Sequence, residues 1–196
     1  FYNISITFFI SKLIEETDYE FMFGYEESYG YVVKDFVRDK DSIQALLLIS
    51  EIANVGKLNN KTLYDYLLFL YDTYGYYVED LVNIVLEGAK GEAKIKEILK
   101  HFRNNKPEMV AGQNVVKVED YLIVKGYENG KEYELTLPSS NVLKFFLEDG
   151  SWFVLRPSGT EPKLKIYIGV KGDSLEDATS KNEKIKQSTI KIVEAI

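Results

Sequence analysis

The sequence contains no cysteine. That removes disulfides, thiolate-held zinc and a thiol nucleophile together. Histidine is almost as scarce. His101 stands alone, which excludes a multi-histidine metal site and leaves little room for a Ser-His-Asp triad. There is no basic tail either. Thirty-one acidic residues against 24 basic give a net charge of −7 and a pI near 4.9, so neither nucleic acid nor an anionic membrane surface is an expected partner. The apolar opening stretch, 1–14, is shorter than the roughly 20 residues a bilayer span needs, and it carries Asn3, Ser5, Thr7, Ser11 and Lys12. It also lacks the charged start and small-residue cleavage site of a signal peptide. A cysteine-free, acidic chain fits the cytoplasm. It opens at Phe1 in mid-pattern, and so reads as a piece of something longer.

What is present is an ordinary globular balance: 196 residues, 45% hydrophobic and 28% charged, enough to bury a real core. Phe21-Met22-Phe23 reads as a short strand running into a glycine-bounded loop, Gly24 to Tyr31. From Ile43 to Val55 the pattern is apolar on nearly every face, with Asp41 as N-cap and Gly56 as stop, so this helix is expected to be covered on both sides. Leu63, Tyr66, Leu67, Leu70, Tyr71 and Tyr74 make one apolar stripe, capped by Thr62 and ended by Gly75. Beyond residue 75 the texture changes. A strand at 76–86 precedes a helix at 88–103 with Ile95, Ile98, Leu99 and Phe102 on one stripe. Strands follow at 115–118, 121–127 and 132–137, the last two flanking Asn129-Gly130, a strong hairpin signal. Strands at 142–148 and 151–156 flank Asp149-Gly150, which reads as a second hairpin of the same kind. The stretch 163–171 alternates, with Leu164, Ile166, Ile168 and Val170 on one face and Lys163, Lys165, Tyr167 and Lys171 on the other. Ser174 and Asp177 open a last helix over about 175–195. The expected organisation is therefore α+β: a fragment over 1–75, then a unit over 76–196 built from an antiparallel sheet with two helices covering its apolar face.

Chemistry concentrates in two loops. Arg156-Pro157-Ser158-Gly159-Thr160-Glu161-Pro162-Lys163 begins where one strand ends and stops where the next begins. A phosphate dianion calls for a planar bidentate donor, hydroxyl donors and a backbone that allows close approach. Arg156, Ser158 with Thr160, and Gly159 supply these. The alternative is a plain turn, since Pro, Ser and Gly are turn residues anyway. In the other loop Glu26 and Glu27 are adjacent, so in an extended loop they point apart and do not work as a pair on one bond. Glu26 with the hydroxyl of Ser28 suits sugar hydroxyls, one accepting and the other donating; a solvated acidic turn is the alternative. Arg38-Asp39-Lys40-Asp41 places two cations beside a helix start, a pattern often no more than a solvated face.

Taken together and in order, these segments resemble the α-D-phosphohexomutase superfamily of phosphoglucomutases and phosphomannomutases. Gly24 to Tyr31 is similar to that family's sugar-recognition loop, Arg38-Asp39-Lys40-Asp41 to its Arg-x-Lys-Asp, and Arg156 to Lys163 to its phosphate-binding loop. The resemblance runs from about residue 20 to the C-terminus. It implies that residues 1–75 end the family's third domain, an α/β domain. Residues 76–196 would form its fourth, an antiparallel sheet with helices on one face in a TATA-binding-protein-like arrangement. It also implies that Glu26, Ser28 and Lys40 meet sugar hydroxyls, and that Arg156, Ser158, Gly159 and Thr160 hold the phosphate not being transferred. Lys165 would add a second cation.

The family's nucleophilic phosphoserine loop and its Asp-Gly-Asp-x-Asp-Arg magnesium loop have no counterpart here, and neither does a Thr-Gly-Phe-Lys stretch within 1–10. By resemblance, Mg2+ and a glucose 1,6-bisphosphate-type intermediate belong to a full-length parent that interconverts hexose 1-phosphate and hexose 6-phosphate. Its missing N-terminal domains would be partners of this chain, and the chain alone would be inactive. Glu26-Glu27-Ser28 leans to glucose-type substrates without separating them from mannose, pentose or glucosamine phosphates. A non-catalytic phosphosugar-binding module, a phosphopentomutase-type member and an inert interaction domain remain as alternatives.

Overall fold

The computed structural model describes residues 14–25, 30–37, 39–86, 88–159 and 161–196, and the chain divides into two compact units, 1–73 and 74–196. In the first unit a two-stranded antiparallel ribbon, β1 (Gly24–Tyr25) and β2 (Tyr31–Val32), pairs Gly24 with Val32 and Tyr25 with Tyr31. The expected strand at Phe21–Phe23 is therefore displaced to Gly24, where it has a partner to bond. Helix α1 (Ser42–Leu58) starts at Asp41, whose carboxylate accepts from the Ile43 and Gln44 N–H groups at 2.8 and 3.2 Å.

Gly56 does not stop this helix. It lies inside α1, buried, where a Cβ would stand 2.8 Å from the Lys61 carbonyl and 3.0 Å from the Tyr66 ring. The left-handed residue that turns the chain is Asn60. Helix α2 (Leu63–Tyr74) begins with a reciprocal cap: Asp65 N–H donates to Thr62 Oγ1, and Thr62 N–H donates back to the Asp65 carboxylate. Coverage of α1 on both sides is not found. Ile43, Leu46, Leu47 and Leu58 are all more than 60% exposed. Among the described residues the first unit has only two-residue strands, so no sheet is wide enough to bury that helix.

The second unit is an eight-stranded antiparallel sheet. Its strands are β3 (Tyr76–Val85), β4 (Met109–Val110), β5 (Gln113–Asp120), β6 (Lys125–Glu128), β7 (Lys131–Glu134), β8 (Leu143–Leu147), β9 (Trp152–Pro157) and β10 (Lys163–Gly172), in the order β3-β10-β9-β8-β5-β6-β7 with β4 beside β5. Helices α3 (Gly88–Asn104) and α4 (Leu175–Glu194) cover one face. Between helices and sheet lie Ile98, Leu99 and Phe102 of α3, Ala178 and Ile185 of α4, and Phe145, Phe153, Leu155, Leu164, Ile166 and Ile168 of the sheet. Phe145 and Phe153 are cross-strand partners with rings stacked at 4.6 Å, and Phe102 meets Phe145 edge-on at 5.8 Å.

Polar ties fix the helices to this face. Arg103 at the end of α3 donates to the buried Asp120 carboxylate at 2.9 Å, and Lys186 of α4 reaches Asp80 of β3 at 2.9 Å. The Asn129-Gly130 hairpin forms, both residues having positive φ. The Asp149-Gly150 turn is of another kind. Only Gly150 is left-handed, and Asp149 holds the Ser151 N–H with its side chain. The expected strand over 121–127 is a turn through 124 before β6 begins, because the Asp120 carboxylate accepts the Leu122 N–H and Val124 takes positive φ. Among the described residues no helix is long and apolar enough to cross a membrane.

Burial sets a clear contrast for substitution. Phe153→Ala removes a fully buried ring from a stacked pair and should cost about 3–5 kcal/mol. Leu47→Ala, at a position 63% exposed, should stay within about 0.5 kcal/mol. Urea unfolding midpoints of the two variants check both; equal losses would show that the apolar face of α1 is covered.

Candidate functional site

The face of the sheet opposite the helices carries the other half of each strand. Side chains alternate with a period of two, so the burial of Leu155, Leu164 and Ile166 on the helical side puts Arg156 and Lys165 on the open side. The register then sets these two cations directly opposite one another, with Asn83 of β3 as the next partner of Lys165 in the same row. Like charges in that arrangement are destabilising. Several other cations of this unit are neutralised by carboxylates: Lys117 by Glu119 and Lys163 by Glu161, each at 2.8 Å, and Arg103 by Asp120. Among the described residues no carboxylate pairs with Arg156 or Lys165.

The turn beyond them is firmly held. Ser158 N–H donates to the Lys163 carbonyl at 2.8 Å, Lys163 N–H donates to the Glu161 carbonyl at 2.7 Å, and Leu86 N–H donates to the Pro162 carbonyl at 3.0 Å. The turn is thereby tied both to β10 and to the end of β3. Gly159, at its exposed tip, has no positive φ, and a Cβ there would meet nothing within 4 Å. Nothing in the chain's own packing calls for a glycine at 159; its bare backbone leaves room for a group from outside. Arg156, Ser158, Gly159 and Lys165 are thus gathered around one turn. Thr160 lies outside the described residues, as do Glu26 and Ser28. Lys40 belongs to the first unit, where its ammonium pairs with Asp39 at 3.1 Å in a solvated setting.

Further along the open face, the Glu119 carboxylate accepts from Lys117 at 2.8 Å, from Tyr121 Oη at 2.7 Å and from Tyr133 Oη at 3.2 Å. Burial pushes this carboxyl up, but the bonds from Lys117 and Tyr121 outweigh that and hold it below the ordinary value. Burial, and the bond to Glu119, push the Tyr121 phenol upward. Lys144 is the cross-strand partner of Glu119 and lies against the rings of Phe146 and Trp152, and burial lowers its pKa. Trp152 in turn lies against Gly169, where any Cβ would strike the indole at 2.3 Å. Tyr167 is the residue whose part the sequence reading leaves blank. Alternation along β10 places it on the face of Lys165, and the structure sets its Oη 3.5 Å from Arg156 Nη1.

Two segments of the chain match models of one protein family. Residues 81–183 match the phosphoglucomutase/phosphomannomutase C-terminal domain, and residues 7–74 match the alpha/beta/alpha domain III of the same family. A phosphoglucomutase of Staphylococcus haemolyticus is 41% identical over 174 residues, covering 87% of this chain and 32% of that protein. A phosphoglucomutase of Staphylococcus aureus is 40% identical over 177 residues, covering 88% of this chain and 32% of that protein. The chain therefore spans about a third of the length of the curated relatives it matches.

The Glu119 cluster gives a pH prediction. Its folded pKa lies below the unfolded value, so its stabilisation is present above the ordinary carboxylate value of 4.5 and is lost as pH falls through the folded pKa. Glu119→Gln should lower the melting temperature at neutral pH and flatten its fall in the acid range below pH 4.5. Parallel melting curves for variant and parent across that range would remove Glu119 as a contributor.

Proposed function

The chain belongs to the phosphoglucomutase/phosphomannomutase family, and from that premise we propose that it is the substrate-positioning part of a hexose phosphate mutase. In this reading Arg156, Lys165, Ser158, Gly159 and Thr160 grip the phosphate that is not being transferred. Glu26 and Ser28, with Lys40, meet the sugar hydroxyls. The remainder of the protein supplies the phosphoserine. Magnesium, where the enzyme uses it, is assigned to that remainder as well. No step of the present chain's chemistry is routed through a metal. The setting proposed is cytoplasmic.

The observation that carries this reading is the opposed pair Arg156 and Lys165, with no carboxylate partner among the described residues, at the foot of a tied turn. A dianion between them turns a repulsion into two charge-assisted contacts. Arg156 brings a planar fork that matches two phosphate oxygens, and the sheet fixes its backbone in advance. A mutase returns its intermediate with the two ends exchanged, so the gripping site must accept a phosphate whichever way the sugar points. A site built on charge and backbone at a turn, with the sugar read by a separate loop, meets that requirement.

Three outcomes are expected. In the full-length protein Arg156→Ala should keep the circular dichroism of the parent and lower kcat/KM at least ~10-fold in both directions, since a charge-assisted phosphate contact is worth about 1.5–3 kcal/mol. A folded variant with parental kcat/KM would leave the loop as a plain turn. Lys165→Met should reduce kcat/KM as well, yet not lower the melting temperature, because it relieves the like-charge opposition; a variant that melts earlier with unchanged kinetics counts against the pairing. The 196-residue chain alone should bind glucose 1-phosphate without converting it to glucose 6-phosphate, and measurable conversion by the purified chain would contradict the division of labour.

A further inference from the structure

Tyr167 lies on the open face of the sheet, yet it is only 3% exposed. It follows Lys165 by two positions on β10, so it is the diagonal neighbour of Arg156 across the β9–β10 ladder, within reach of a long side chain. Its immediate cross-strand partners on that face, Leu81 and Val154, are apolar. Tyr167 is thus flanked by apolar residues at the foot of the cationic row, and a buried tyrosine hydroxyl takes polar partners. Arg156 Nη1 stands 3.5 Å from Oη, the outer limit of a hydrogen bond, with the guanidinium as donor.

We propose that Tyr167 is a positioning residue for Arg156. This rests on the reading that Arg156 grips the phosphate. The guanidinium has five donors in a rigid plane. Lending one of them to a fixed phenol limits rotation of the fork while leaving the others for oxygens of a ligand. Lysine or leucine at 167 would not do this, the first because it adds a third cation to the pair and the second because it offers no acceptor. Leu81 and Val154 flank Tyr167 on the neighbouring strands and the side chain is buried, which makes it a stiffer anchor than the half-exposed arginine it steadies. Much of the ordering that phosphate binding demands of Arg156 is then complete before the ligand arrives.

The test is a double-mutant cycle in the full-length protein, read as kcat/KM for glucose 1-phosphate, with melting temperatures alongside. Tyr167→Phe keeps the ring and removes one oxygen. It should lower kcat/KM roughly three- to tenfold, the size expected for a weak bond at the outer distance limit, chiefly through KM. On the Arg156→Ala background the same change should have no further effect, because the group it orients is gone. A loss of equal size on both backgrounds means that Tyr167 acts on the fold and overturns the proposal, as does Tyr167→Phe at parental kcat/KM. Arg156→Ala at parental kcat/KM is a different failure: it removes the phosphate-site reading itself, and the positioning role with it. Should Tyr167→Phe also melt earlier, the cycle still decides, since a purely structural loss adds to that of Arg156→Ala.

Discussion

Lys165 stands opposite Arg156 because Ile166 stands opposite Leu155. Two antiparallel strands with a side-chain period of two have a single register that buries both apolar sets, and a slip of one residue would turn every side chain to the wrong face. The apolar run Leu164, Ile166, Ile168 and Val170 can enter the core only if the intervening residues leave it. So the same contacts that fix β9 against β10 also fix the cation row on the open face, the tyrosine beneath it and the starting points of the turn between them. The site is a by-product of core packing in its position, and a departure from it in its charge.

That departure is visible against the rest of the unit. Lys117, Lys163, Lys181, Lys186 and Arg103 each have a carboxylate at about hydrogen-bond distance. Glu119 collects three donors, and the bonds from Lys117 and Tyr121 keep it ionised despite burial. Arg156 and Lys165 have no carboxylate partner among the described residues, and like charges directly opposed cost roughly a few tenths of a kcal/mol or more. The stacked Phe145–Phe153 pair and the aliphatic layer around it offset that cost many times over, at about 1.5–3 kcal/mol for each large side chain buried.

How much of this could be read from residues alone differs by scale. Alternation along 163–171 gave both faces of β10 correctly, and side-chain caps at Asp41, Thr62 and Ser174 marked three helix starts, because each signal is local. Signals that depend on a distant partner misled. Gly56 looked like a stop and is a packing glycine against Lys61 and Tyr66. Residues 121–124 had strand-like composition, but the Asp120 side chain captures a backbone donor and turns the chain. Asp149-Gly150 imitates the Asn129-Gly130 hairpin in letters and not in backbone sign. For the site, the turn from Arg156 to Lys163 was legible as a donor-rich loop between strands. What was not legible is the opposition of Arg156 and Lys165, since nine positions of sequence say nothing about register until the loop closes. Tyr167 was placed on the right face and left without a part for the same reason. Glu26, Ser28 and Thr160 are the members of the expected site that lie outside the described residues.

The two units also differ in how their apolar surface is used. In the second, nearly every large aliphatic side chain of the helix-facing layer is enclosed, so the open face can carry charge without endangering the fold. In the first, α1 and α2 expose much of theirs, and its side-chain hydrogen bonds are mostly at caps and turns: Asp41, Thr62 with Asp65, and the carbonyl oxygen of Gln44, which accepts from the Val33 and Lys34 N–H groups. Gln44 therefore stitches the segment after β2 to the first turn of α1. The segment between β1 and β2, which holds the candidate sugar-reading residues, is thus framed at one end by the Gly24–Val32 pair and beyond it by a helix-borne amide. In both units, backbone hydrogen bonds secure the strands that flank the candidate loop.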